Sequence, residues 1–111
     1  MGKVTMKSIR YINKKSKDKV TKVKSIALLK KIKLESITEE EYSSLPEDAE
    51  ILMMRGMDRA SMTDFLSELR KKGLSVNYKC IETETNKDWP ISRLYEEIKS
   101  EHEAMQRKRT D

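Results

Sequence analysis

Ala49-Glu50-Ile51-Leu52-Met53-Met54-Arg55-Gly56-Met57-Asp58 is the stretch on which the fold turns. Its four consecutive apolar residues, Ile51 to Met54, are bounded by Glu50 on one side and by Arg55-Gly56 on the other. A strand with one wet face alternates, whereas an unbroken run of this length reads as a strand covered on both faces, so Ala49 to Met54 is expected at the centre of a sheet. Asp58 then stands ready to cap a helix. Met57 before it and Met62 after it have the spacing of a hydrophobic staple. Met62, Phe65, Leu66 and Leu69 form one apolar stripe, the basic pair Lys71-Lys72 suits the last turn, and Gly73 supplies a left-handed C-cap.

Downstream, Val76 to Ile81 is rich in β-formers and reads as a further strand. It ends in the polar stretch Glu82-Thr83-Glu84-Thr85-Asn86. Pro90 suits the first turn of a final helix capped near Asp88, with Ile91, Leu94, Tyr95, Ile98 and Met105 as its buried stripe. The tail from about Arg107 is expected to fray.

Upstream, Ile9 to Ile12 reads as the first strand. Asn13-Lys14-Lys15-Ser16 follows as a polar turn whose serine can open a helix over about Lys17 to Lys31. The apolar residues of that helix, Val20, Val23, Ile26, Ala27, Leu28 and Leu29, wrap more than half the cylinder, which predicts good cover toward its C-terminal end. Ile32, Leu34 and Ile37 suggest a short second strand. Thr38 to Asp48 reads as an acidic loop with one helical turn around Glu39 to Tyr42.

The order is thus β-α-β-β-α-β-α. Strands alternating with helices argue for parallel pairing through crossovers. The expectation is a small α/β domain over residues 1–111: a four-stranded, mostly parallel sheet in the order 2-1-3-4, with three helices on its two faces. A ferredoxin-like antiparallel arrangement is the alternative.

The chain has 111 residues, 36% hydrophobic and 39% charged, which allows one domain with one economical core. No run approaches the roughly 18 apolar residues of a membrane span, and the N-terminus lacks a signal peptide's apolar stretch. Met1-Gly2 begins like a myristoylation site, but Met6 stands where serine or threonine is needed. These features point to a cytoplasmic protein with no membrane partner. A single cysteine, Cys80, excludes an internal disulfide and a cysteine-based zinc cluster. One histidine, His102, and three glycines, none set as a phosphate-cradling loop, close most enzyme classes, and no cofactor or metal is expected.

Charge is uneven. Residues 1–34 carry twelve Lys or Arg against one acid, Asp18, for a net +11, while the remainder carries −6. Such a block marks either attraction to polyanions or a solvated face. Its cations are lysines apart from Arg10, which disfavours sequence-specific base reading.

From Glu50 onward the residues also carry a family pattern. Ile51-Leu52-Met53-Met54-Arg55-Gly56-Met57, then Phe65-Leu66, Leu69-Arg70 and Gly73, then Thr83-Glu84-Thr85-Asn86 and Trp89, and finally Leu94, Glu96-Glu97 and Glu101-His102 together resemble a small bacterial family, domain of unknown function 3783. Typical members have Thr-Pro-Thr-Asn at Thr83-Glu84-Thr85-Asn86 and Thr or Ser at Pro90. The resemblance implies no activity, because the family has none assigned.

Three binding sites are open on sequence grounds. With all strands parallel in the order 2-1-3-4, Asn13, Lys14 and Lys15 would meet Arg55 and Gly56 where the strand order reverses, and could hold a phosphate or another anion. Lys17, Lys24 and Lys31 recur every seven residues and could track a nucleic-acid backbone, although a solvated helix face is the more usual meaning of such a stripe in a Lys-rich chain. Thr83, Thr85, Asn86 and Trp89 could orient a ligand, but turn hydrogen bonds and helix anchoring account for the same residues. His102 reads as a surface residue, Cys80 as a buried inert thiol, and Glu39-Glu40-Glu41 as solvated acids. No catalytic residue is assigned. The leading expectation is a noncatalytic domain that contacts protein or self-associates. The alternatives are a nucleic-acid-binding accessory domain using residues 1–34 and a small anion-binding domain.

Overall fold

A computed structural model describes residues 7–109, with side chains to residue 105. The Met1-Gly2 and Met6 reading falls outside the described residues. The elements are β1 (Ser8–Asn13), α1 (Lys17–Leu29), β2 (Lys33–Leu34), α2 (Glu39–Ser43), β3 (Glu50–Arg55), α3 (Arg59–Lys71), β4 (Lys79–Ile81) and α4 (Ile91–Arg109). α4 stays helical to Arg109.

The sheet order is β2-β1-β3-β4, as expected. β1 pairs with β2 and β3 with β4 in parallel, but β1 and β3 run antiparallel, with Ser8 opposite Arg55 and Asn13 opposite Glu50. The sheet is mostly parallel as expected, but the parallel course of β1 and β3, on which the anion pocket depended, is corrected. The reason lies in the connection between β2 and β3. β2 stops opposite Ile9, and the segment 35–49 then runs along β1 to its far end, held there by the pairing of Glu41 with Arg10 and by the Lys14 ammonium on the Tyr42 and Leu45 carbonyls. The chain is thus delivered opposite Asn13, where the Lys14 N–H bonds the Ala49 carbonyl, and β3 can only run back along β1. The result is a mixed α/β sheet with helices on both faces.

Strand alternation divides the core into two layers. Ile9, Tyr11, Leu52 and Met54 pack with Val23, Ile26 and Ala27 of α1 and with Phe65 and Leu69 of α3. Ile12, Ile51 and Met53 pack with Leu45 and with Ile91, Leu94 and Tyr95 of α4. The apolar run Ile51 to Met54 is buried on both faces, as its lack of alternation required.

Among the described residues four helices form, not three, because the expected turn near Glu39 closes into α2. Thr38 and Glu41 make a reciprocal capping box there. Asp58 caps α3 by accepting from the Ser61 N–H, and Met57 packs with Met62 in the same core layer. Three helix expectations are corrected, the first at Met105, which is exposed because the face of α4 that packs on the sheet ends at Ile98. Leu28 and Leu29 are 66% and 81% exposed, because α1 meets the core through Val20, Val23, Ile26 and Ala27 and, among the described residues, no element covers its outer side. At α4, the Pro90 carbonyl accepts from the Arg93 and Leu94 N–H groups, so the helix opens on Pro90 and not on Asp88.

β1-α1-β2-α2 and β3-α3-β4-α4 follow the same order, and α1 and α3 have equal length at a spacing of 42 residues. Both helices close in the same way. The Lys31 and Ile32 N–H groups bond Leu28 and Ala27 carbonyls, and the Gly73 and Leu74 N–H groups bond Arg70 and Leu69 carbonyls. These are two Schellman motifs with buried Ile32 and Leu74 as their apolar plugs.

Candidate functional site

The residues expected to form an anion pocket do not meet. Antiparallel pairing puts Asn13 and Arg55 at opposite ends of the central strand pair, about 17 Å apart along the strand direction. Each is engaged locally. The Asn13 side-chain oxygen accepts from the Lys15 and Ser16 N–H groups, which shapes the turn into α1. The Lys14 ammonium donates to the Tyr42 and Leu45 carbonyls and lies 4.7 Å from the Tyr42 ring centroid. Lys15 is exposed. At the far end, Arg55 donates to Glu35 at 2.9 Å and to the Lys87 carbonyl, and its Nε lies 2.9 Å from the Glu82 carboxylate at ion-pair distance but outside hydrogen-bond geometry. Two carboxylates thus already answer this guanidinium. Gly56, with φ 63°, makes the turn toward α3.

The lysine stripe is shorter than its spacing suggested. Lys17 and Lys24 lie on α1, but the helix ends at Leu29 and Lys31 sits beyond it at φ 60°. Thr83 and Asn86 exchange hydrogen bonds with each other's backbone, and Asn86 also donates to the Ile81 carbonyl, so they close a turn. Thr85 is exposed on that turn. Trp89 is half-buried against the α4 core layer, with the Arg93 guanidinium 3.9 Å from its ring centroid. His102 is half-buried, its ring 5.3 Å from that of Tyr78. The Cys80 thiol is pushed up to about 11 by burial and by the negative charge of Glu101, which makes it a poor nucleophile. Glu41 pairs with Arg10 instead of standing solvated with Glu39 and Glu40.

What the structure brings together is different. β2 is two residues long, and its last bond to β1 runs from the Glu35 N–H to the Ile9 carbonyl. Beyond Ile9, among the described residues, no strand pairs with β1 on that side. A cleft of about 500 Å³ lies there. Tyr11, Ile12 and Asn13 form its floor, Lys17, Val20, Thr21 and Lys24 of α1 one wall, and Tyr42 of α2 the other, with Leu34 to Ile37 closing one end. Alternation along a strand sends the backbone groups of Tyr11 and Asn13 to the same side as those of Ile9, toward the cleft.

The floor is held rigidly. The Asn13 amide donates to the Tyr11 hydroxyl, which donates at 2.6 Å to Glu50, and Glu50 pairs with Lys19 at 2.7 Å. Burial, then the neighbouring carboxylate, drives the Tyr11 hydroxyl well above its ordinary range, so it stays a proton donor. The α2 wall is tied down by Arg10 and Glu41 and by the Lys14 bonds. The basic block is partly neutralised: Arg10, Lys19 and Lys30 pair with Glu41, Glu50 and Asp64, and Lys22 with Asp18. Lys17 and Lys24 stand outside these pairs, both exposed at the cleft wall.

In the second half the corresponding position is closed. β4 pairs with Leu52 to Met54, the Glu82 N–H bonds the Met54 carbonyl, and the Thr83–Asn86 turn follows directly. The model of the family described as Domain of unknown function (DUF3783) matches residues 50–105 of this chain, half of its length. The chain belongs to this family. No curated protein and no solved structure matches it. The DUF3783 match spans β3 to α4, so every residue lining the cleft lies outside it. Sequence reading missed the cleft, and the brevity of the second strand was the one available signal.

Proposed function

We propose that this protein is a noncatalytic domain that contacts another protein, and that the cleft beside β1 is the contact surface. The observation that carries this reading is the open strand edge at Tyr11 to Asn13, flanked by apolar Val20, Leu34 and Ile37 and by the Tyr42 ring. A strand edge with apolar side pockets offers main-chain hydrogen bonds and places for side chains, the two elements of protein-segment recognition. The cleft's one carboxylate, Glu35, accepts from the Ser8 hydroxyl and from Arg55. A carboxylate so engaged favours binding over general acid-base chemistry.

A photo-crosslinking amino acid at Thr21, on the cleft wall, should trap a protein adduct in cells. The same group at Thr63, exposed on α3, should not trap it. Adducts to nucleic acid alone, or equal protein trapping at both positions, would overturn the reading.

A further inference from the structure

We infer that the cleft takes an extended acidic segment of the partner, which adds to β1 as a strand where β2 stops short. This rests on the preceding reading and specifies its ligand.

Three observations converge on that chemistry. The first is the edge itself. β2 leaves β1 after Glu35 bonds Ile9, and the next backbone groups facing that way, those of Tyr11 and Asn13, are set for a strand lying about 4.8 Å away. The second is the two-sided lining. An added strand sends alternate side chains to opposite faces of the sheet, one toward Lys17, Val20 and Lys24 of α1 and the other toward Ile37 and Tyr42. The third is charge. Lys17 and Lys24, two helical turns or about 10.5 Å apart, are the cations of α1 at this wall that no acid among the described residues answers. A segment with acids at alternate positions facing α1 and apolar residues between them fits both walls. A nucleic-acid strand would use the lysines but leave the amide edge unmet, and Lys31, which it would also need, lies off the helix.

The test uses the full chain, 15N-labelled, with two dye-labelled probes: a blocked hexapeptide of alternating valine and glutamate, and its valine-lysine counterpart. The acidic probe should bind saturably, weaken in high salt, and slow amide exchange at Tyr11 and Asn13 at least tenfold. The double substitution Lys17→Glu with Lys24→Glu should weaken it at least tenfold, and Lys17→Gln with Lys24→Gln by an intermediate amount, with circular dichroism unchanged in both. Equal binding of the two peptides, unaltered exchange at Tyr11 and Asn13, or displacement by an oligothymidylate that itself binds more tightly would overturn the inference. If the acidic probe fails while Thr21 still traps a protein, the ligand class is wrong and the interaction reading stands. If neither occurs, both fall.

Discussion

Lys31 holds a left-handed backbone position, φ 60°, at the point where Gly73 stands in the second half with φ 72°. A side chain there costs about 1 kcal/mol relative to glycine, because Cβ crowds the neighbouring carbonyl. Lys31→Gly should therefore raise unfolding stability by about 1 kcal/mol, and Gly73→Ala should lower it by about the same, read from urea melts. Leu28 and Leu29 make the opposite case. Both are largely exposed, so changing the pair to lysine should alter stability by no more than about 0.5 kcal/mol per site in the same melts. Cys80 gives a third check at this scale. With its thiol raised from 9.0 to about 11, its thiolate fraction at neutral pH is about a hundredfold below that of a thiol at its ordinary value. Alkylation by iodoacetamide should be slow in the folded chain and rise sharply in urea.

At the scale of elements, α2 is the most dependent on its ends. It has no buried residue and stands on the Thr38–Glu41 capping box and on the pairing of Glu41 with Arg10. Partial burial opposes ionisation of Glu41, but the Thr38 N–H and Arg10 outweigh it and hold the carboxyl below its ordinary 4.5. A lowered carboxyl adds stability that is fully present above the unfolded value and disappears as pH falls through the folded one. Glu41→Gln should therefore flatten the loss of stability below about pH 4.5, measured as urea midpoints across the acid range. Thr38→Ala should cost about 1 kcal/mol locally. Its clearest sign should be faster amide exchange through 39–43, with the Tyr42 wall of the cleft loosened.

For the whole molecule, Arg55 is the tie between the outer strands. From the end of β3 it reaches Glu35 just past β2, and Glu82 and the Lys87 carbonyl just past β4. Removing it leaves two half-buried carboxylates without a cation, so Arg55→Ala should cost about 1–3 kcal/mol, between the values for surface and fully buried pairs. Arg55→Lys should recover only part of this, since an ammonium cannot fork to both acids. Because those acids already occupy the guanidinium, inorganic phosphate should leave the melting temperature unchanged. A phosphate-dependent rise abolished by Arg55→Ala would restore the anion-site reading.

The places of the strands, though not the full extents of β2 and β4, the caps at Ser16 and Asp58, the closing Gly73 and the buried run Ile51 to Met54 were legible in the sequence, because each depends on neighbours a few residues away. Sheet order was legible too, through the strand-helix rhythm. The direction of β3 was not. It follows from where the segment 35–49 delivers the chain, and that is set by Arg10 on Glu41 and Lys14 on the Tyr42 and Leu45 carbonyls, contacts between residues about thirty apart in sequence. The anion pocket disappeared with that direction. The cleft came from the same source, because an edge is open only when a strand elsewhere in the sequence ends early. Periodicity in β1 carries no trace of where β2 stops. Which lysines remain unanswered is likewise a matter of distance between Glu50, Asp64 and α1, and that separation exists only once the chain has folded.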